Sequence, residues 1–277
     1  MITSKSYLGS IILLIVTGCT TPVPSVSTAT PEATSTPKSR FLYADAPIAS
    51  GYPNSWTVLE NIAYESAYDD TFKNPAWVAY RLTGEPKPVG GRPSSGYPTD
   101  TRTTSKLAAS DYPGGYDHGH MAPNSSIAKY FGAEAQIETF LMTNMLPQRH
   151  GLNAGPWKSV ETSEGNSVPA LHNVWVICGP VYTTASHQPI VPANRYGKAQ
   201  LCIPTACFKI VMWATETGEV ATVAFIMPQE NASGHQPTEF LTSIREIEQR
   251  TGLNFFSSIP QAKQDAIEEA VSTELWH

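Results

Sequence analysis

Asp117-His118-Gly119-His120 places two imidazoles and a carboxylate within four residues, beside a glycine that lets a backbone or a ligand come close. An imidazole has a reference pKa of about 6.5, so it can accept a proton near neutral pH. The chemistry this quartet could carry is a hydrolysis. His120 would act as general base toward water, and Asp117 would orient a neighbouring group. Taken alone, the quartet does not separate that chemistry from a His/Asp metal site or from a polar surface loop.

The quartet needs elements to hold it. Upstream, Ile62 to Tyr68 and Trp77 to Thr83 read as a strand pair, with the turn at Asp69-Asp70 and Asn74-Pro75. Residues 84–116 carry Gly or Pro every few positions and read as a long surface loop, which in a compact domain is usually functional or mobile. Downstream, Asn124 is placed to cap a helix over about 125–131, and a second short helix follows at about 133–140. Pro156 suits the first turn of another helix, which Gly165 and Pro169 should keep short. Val174 to Cys178, Lys209 to Thr215 and Val220 to Met227 are further strands, the last two joined at Thr217-Gly218. Phe240, Leu241, Ile244 and Ile247 recur at helical spacing up to Gly252, and a last helix covers about 260–273. Strands and helices mixed without regular βαβ alternation predict an α+β domain with a mostly antiparallel sheet and flanking helices.

The first forty residues are of another kind. Lys5 and the short apolar stretch from Leu8 to Val16 read as an export signal over residues 1–18. Val16-Thr17-Gly18-Cys19 resembles a bacterial lipobox, which implies acylation of Cys19 and a membrane anchor. Each buried methylene of such an anchor contributes about 0.8 kcal/mol. Residues 19–40, rich in Pro, Ser and Thr, read as a tether, and residues 41–277 as the folded domain. The expected location is the periplasmic or cell-surface face of a membrane. Export would also put Cys178, Cys202 and Cys207 in an oxidising compartment. Their pairing stays open: Cys202 and Cys207 are near enough in sequence to close a small loop, and Cys178 lies in an apolar run.

Beyond the quartet, the chain resembles the DNA/RNA non-specific endonucleases, the ββα-metal (His-Me finger) nucleases of the endonuclease G type, whose signature is Asp-Arg-Gly-His. The likeness starts at Val78-Ala79-Tyr80-Arg81-Leu82-Thr83 and passes through Tyr112 to Pro123. It continues in Asn144-Met145-Leu146-Pro147-Gln148, in Asn153-Ala154-Gly155-Pro156-Trp157 with Glu161, and in Gly179-Pro180-Val181-Tyr182. Ile203-Pro204-Thr205 with Phe208-Lys209, Ala224 to Pro228 and Thr251 to Phe256 complete it in the family's order.

The resemblance implies a ββα-metal nuclease fold that cuts DNA and RNA to 5′-phosphate ends. It implies His120 as general base and Asn153 as the direct protein ligand of one Mg²⁺, with Mn²⁺ as an alternative. Glu161, eight residues on, would hold a metal-bound water, because a continuous helix would put it about 12 Å from Asn153 along the axis. Asn144 and Gln148 would fix the loop and the metal's waters. Arg92 would clamp phosphate, with Arg102 as its rival, and Trp157 and Lys209 would be structural. The departure is His118, which stands where the family has arginine. Histidine is shorter and mostly neutral at pH 7. A net charge of −6 also weighs against a nucleic-acid partner, although a divalent metal can neutralise part of a phosphate backbone. Two other readings therefore stand beside an active nuclease. One is a weakened member that binds nucleic acid at the envelope; the other is a structural lipoprotein on a borrowed fold.

Overall fold

A computed structural model describes Met1 and residues 39–50, 56–94, 96–182, 195–196 and 200–276. The proposed signal, Cys19 and nearly all of the tether lie outside the described residues. The remainder falls in one compact unit, Pro37–His277.

The strands that position the site are β1 Thr57–Glu60, β2 Tyr64–Asp69, β3 Asn74–Thr83, β4 Asp117–His120, β5 Met145–Gln148, β6 Asn173–Val181, β7 Ala206–Ala214, β8 Val220–Pro228 and β9 Leu241–Thr242. Seven of them form one sheet in the order β9-β8-β7-β6-β3-β2-β1, with every neighbouring pair antiparallel. β4 and β5 pair only with each other, as a separate ribbon. The helices are α1 Asn124–Phe131, α2 Ala133–Glu138, α3 Lys158–Leu171, α4 Ile244–Thr251 and α5 Gln261–Glu269.

The sheet is covered on both faces. Tyr80, Val176, Cys178, Cys207 and Val211 pack with the helix residues Ile127, Trp157 and Val160 on one face. Ala79, Ile177, Phe208, Ile210 and Met212 pack with Ile244, Ile247 and Ile267 on the other. Successive strand residues point to opposite faces, so Lys209 shares a face with Cys207 and Val211, toward α3. Burial on both sides explains why β6 and β7 read as continuous apolar runs.

The α+β expectation holds, and the strand candidates lie within a few residues of β2, β3, β6, β7 and β8. Four local readings need correction. Asn124 is the first residue of α1 and not its cap; its Oδ1 accepts Gln136 Nε2 instead of a helix amide. Asn74-Pro75 belongs to β3; the turn before it is held by the Asp69 carboxylate, which accepts the amides of Thr71 and Phe72. Phe240 and Leu241 precede the helix they were expected to start, because Ser243 caps α4 by accepting the Glu246 amide. Finally, α3 runs straight through Gly165 and Pro169. Pro169 cannot donate to the Gly165 carbonyl, but Tyr130 Oη donates to that oxygen at 2.7 Å and Lys129 Nζ at 3.1 Å. Gly165 itself allows close packing on α1: a Cβ there would lie 2.7 Å from Ser126 Oγ. Partners from α1 thus compensate the helix-breaking residues. Cys178 and Cys207 are buried free thiols, and Cys202 is buried as well.

Candidate active site

The β4–β5 ribbon sets Asp117 opposite Gln148 and His120 opposite Met145. At Gly119 a Cβ would run into the Gln148 side chain, so any other residue there would have to displace it. Asn144 then fixes the chain leaving β4. Its Oδ1 accepts the Ala122 amide at 2.8 Å, and its Nδ2 donates to the carbonyls of Ala122 and Thr139. Asn144 and Gln148 are fully buried and neither lines the cleft below. Gln148 donates to Cys207 Sγ.

After β5 a single helical turn, His150–Leu152, leads into a wide turn over Asn153–Trp157, and only then into α3. Gly155 is non-helical there (φ −98°, ψ −119°), so Asn153 and Glu161 are not on one continuous helix. The break lets both face the same cleft of about 590 Å³, together with Arg92, Asp117, His118 and His120. The structure therefore gathers His120, His118, Asp117, Asn153, Glu161 and Arg92 as the sequence predicts. Arg102 is elsewhere: it is tied to Asp100, to the Glu60 carbonyl and to Asn61.

His120 sits edge-on to Phe140, with ring centroids 5.0 Å apart, and its carbonyl accepts Trp157 Nε1 at 3.2 Å. Burial, with the charge of Arg92 and then His118, pushes its pKa down from 6.5 to about 3. The ring is therefore neutral at pH 7. Its Nε2 is buried with no partner among the described residues, which leaves it as an unused proton acceptor.

This carries a stability prediction. The unfolded chain protonates His120 near 6.5 and the folded chain only near 3, so between these values the unfolded state binds more protons. The stability this histidine permits is complete above 6.5 and declines as pH falls toward 3. Replacing it with alanine removes that slope. Melting curves in metal-free buffer should show the variant gaining on the wild type as pH drops from 7 to 4. A gap that is constant with pH would contradict it.

His118 does not copy an arginine. Its ring is sandwiched between Tyr97 and Tyr112, with centroids at 4.2 and 4.1 Å and planes within 12° and 11°. Burial lowers its pKa despite a backbone hydrogen bond to Ala109 and the Asp117 charge. It is a neutral stacked ring that ties the 84–116 loop to β4. Tyr97 Oη accepts Arg92 Nη2 at 2.9 Å, and the Arg92 guanidinium lies 5.2 Å from the Phe140 ring centroid. The stacked ring thereby steadies the arginine that lines the cleft.

On the far side, one oxygen of Asp117 accepts both Asn153 Nδ2 at 2.9 Å and His150 Nδ1 at 2.8 Å. Holding the amide by its nitrogen leaves Asn153 Oδ1 for the cleft. Glu161 Oε1 is buried with no hydrogen-bond partner among the described residues, and burial raises the carboxyl's pKa to about 7 in spite of Lys209. Beneath it, Lys209 and Glu164 form a fully buried ion pair at 3.0 Å. Sequence reasoning missed His150 and Tyr97. Nothing in their spacing marks them, because the loop and the turn that deliver them have no period.

A histidine-bearing β-ribbon packed on a helix that carries a carboxylate, against one face of an antiparallel sheet, is the ββα-metal nuclease fold. A chain in a crystal structure of the EndoG/EndoGI complex has the same fold, with a TM-score of 0.67 at 24% identity, covering 77% of this chain and 91% of that one. Residues 47–262 match the model of the DNA/RNA non-specific endonucleases, and the chain belongs to that family. Mitochondrial nuclease EXOG of Xenopus laevis is 29% identical over 225 residues, which cover 77% of this chain and 62% of that protein. The human EXOG nuclease is 30% identical over 69% of this chain and 54% of its own length, so these relatives are matched over less than two thirds of their lengths. Mitochondrial endonuclease G of Bos taurus is 27% identical over 76% of this chain and 72% of its own.

Proposed function

We propose that this protein is a metal-dependent, sugar-nonspecific endonuclease that hydrolyses DNA and RNA to 5′-phosphate ends. The observation that carries the reading is the convergence on one cleft of a neutral, unpartnered imidazole, the free carbonyl oxygen of Asn153 and the buried, unpartnered oxygen of Glu161. Oxygen donors so arranged fit a hard divalent cation such as Mg²⁺ or Mn²⁺, held by Asn153 directly and by Glu161 through its hydration shell. When bound, such an ion stabilises negative charge on the phosphorus oxygens and on the leaving oxygen. His120 Nε2 takes a proton from the attacking water, and Arg92 binds the phosphate. Backbone-directed groups of this kind give cutting without sequence choice.

Purified protein should degrade plasmid and ribosomal RNA with Mg²⁺ and stop when EDTA is added. Binding of both without cutting, under any divalent metal, would instead establish the nucleic-acid-binding reading, with the non-arginine His118 as its cause. Export and lipid anchoring at Cys19 belong to the same proposal. Radiolabelled palmitate should enter the wild-type chain in a bacterial host and not Cys19→Ser.

A further inference from the structure

We infer that Lys158 is a substrate-binding residue of the cleft, which holds the phosphate next to the scissile one. The inference rests on the nuclease reading and adds a second phosphate contact to that of Arg92.

Among the described residues that line the cleft, two carry a permanent positive charge, Arg92 and Lys158. They come from different elements. Arg92 stands on the 84–116 loop, beside Tyr97 and Phe140. Lys158 opens α3, and Glu161 and Thr162 follow it at three and four residues, so all three share a helical face and line the same cleft. At that spacing a lysine commonly closes an ion pair with a glutamate. Here the side chain of Lys158 is exposed, and its ammonium has no ion pair or hydrogen bond among the described residues. Only its backbone carbonyl is engaged, by Thr162 Oγ1 at 2.9 Å. Its charge still reaches Glu161, which places it within range of the reacting groups.

The setting gives this cation a use. The chain carries a net charge of −6, and Asp117 and Glu161 add carboxylates to the cleft itself. A polyanion is held at such a surface by cations that are not already neutralised. One guanidinium serves the phosphate being cut. The next phosphate along the strand then meets the other cation. An ammonium on a flexible stem is a point charge that follows the backbone and reads no base, which suits cutting without sequence choice.

The test uses the full chain with Mg²⁺ and an end-labelled single-stranded oligonucleotide of uniform sequence. A second strand has one uncharged methylphosphonate in place of a phosphate, and cleavage at the linkages on its two sides is compared with the unmodified strand. The wild type should cut one of these linkages about fivefold more slowly, the upper scale of one exposed ionic contact. Lys158→Gln should lose about fivefold in kcat/KM on the unmodified strand, through KM, and should cut the two strands alike at that linkage. Lys158→Arg should restore the wild-type pattern. The dependence of log kcat/KM on log salt should be shallower in Lys158→Gln by about 0.7, the value of one phosphate contact on a single strand. A methylphosphonate that slows Lys158→Gln as much as the wild type would overturn the inference, and a raised Mg²⁺ requirement in that variant would then assign the lysine to Glu161. An unchanged kcat/KM in Lys158→Gln would also overturn it. A wild type that cuts neither strand would remove the nuclease reading itself, which is a different result.

Discussion

His120→Ala should lower kcat on plasmid DNA by about 10²- to 10⁴-fold, the usual contribution of a positioned general base, while the protein stays folded. The argument is geometric first. Nε2 is an acceptor with no partner, and it faces the cleft that Asn153, Glu161 and Arg92 also line. The ring is also held in one place. Phe140 meets it edge-on, and the Trp157 indole fixes the His120 carbonyl. Neither contact depends on the imidazole being charged, so the variant loses the proton acceptor without losing an ion pair. The alanine leaves a hole bounded by aromatic rings. Added imidazole should enter it and restore part of the rate, with the restored part growing as pH rises and the free imidazole loses its proton. Loss of rate with no rescue and a collapsed thermal transition would mean a structural role. An unchanged rate would mean that another group takes the proton.

The sequence and the structure agree best where the chemistry needs a particular residue type. The signature quartet and the Asn153 and Glu161 segments are legible as residues, and the sheet is legible through the apolar runs of β6, β7 and β8. What could not be read were consequences of partners far along the chain. Gly165 and Pro169 look like helix breakers until Tyr130 and Lys129 arrive from α1 to take the Gly165 carbonyl. His118 looks like a weakened arginine until Tyr97 and Tyr112 close on its two faces. Arg92 and Arg102 lie ten positions apart in one irregular loop, and only the fold separates the arginine in the cleft from the one bound to Asp100. Asn144 shows a polar side chain spent inside the fold, on the carbonyls of Ala122 and Thr139.

The largest expected loss of stability lies at Lys209. Its ammonium is fully buried, 3.0 Å from the Glu164 carboxylate, and it donates to Tyr80 Oη, which in turn donates to Glu164 at 2.6 Å. The Trp157 ring offers its face 4.3 Å away. Burial works against the charge, but Glu164 and Glu161 outweigh it and hold the lysine pKa above its ordinary value. Lys209→Met would leave Glu164 uncompensated in the core. Removing one partner of a buried pair costs about 3–5 kcal/mol, whereas replacing both by apolar groups is often nearly neutral. Urea unfolding should therefore show a large loss in Lys209→Met and its recovery in Lys209→Met with Glu164→Leu. A double variant as unstable as the single one would mean that packing and not charge sets the cost. The recovered double variant then shows what the pair does for the site. Lys209 lowers the Glu161 pKa against burial and Glu164 raises it, the lysine more strongly, so without the pair that carboxyl should titrate above its value of about 7. At pH 7 more of Glu161 would be protonated and the donor set weakened. The stable double variant should need more Mg²⁺ than the wild type at pH 7, with the gap closing as pH rises toward 9. A gap that does not change with pH would place the lysine in the scaffold alone.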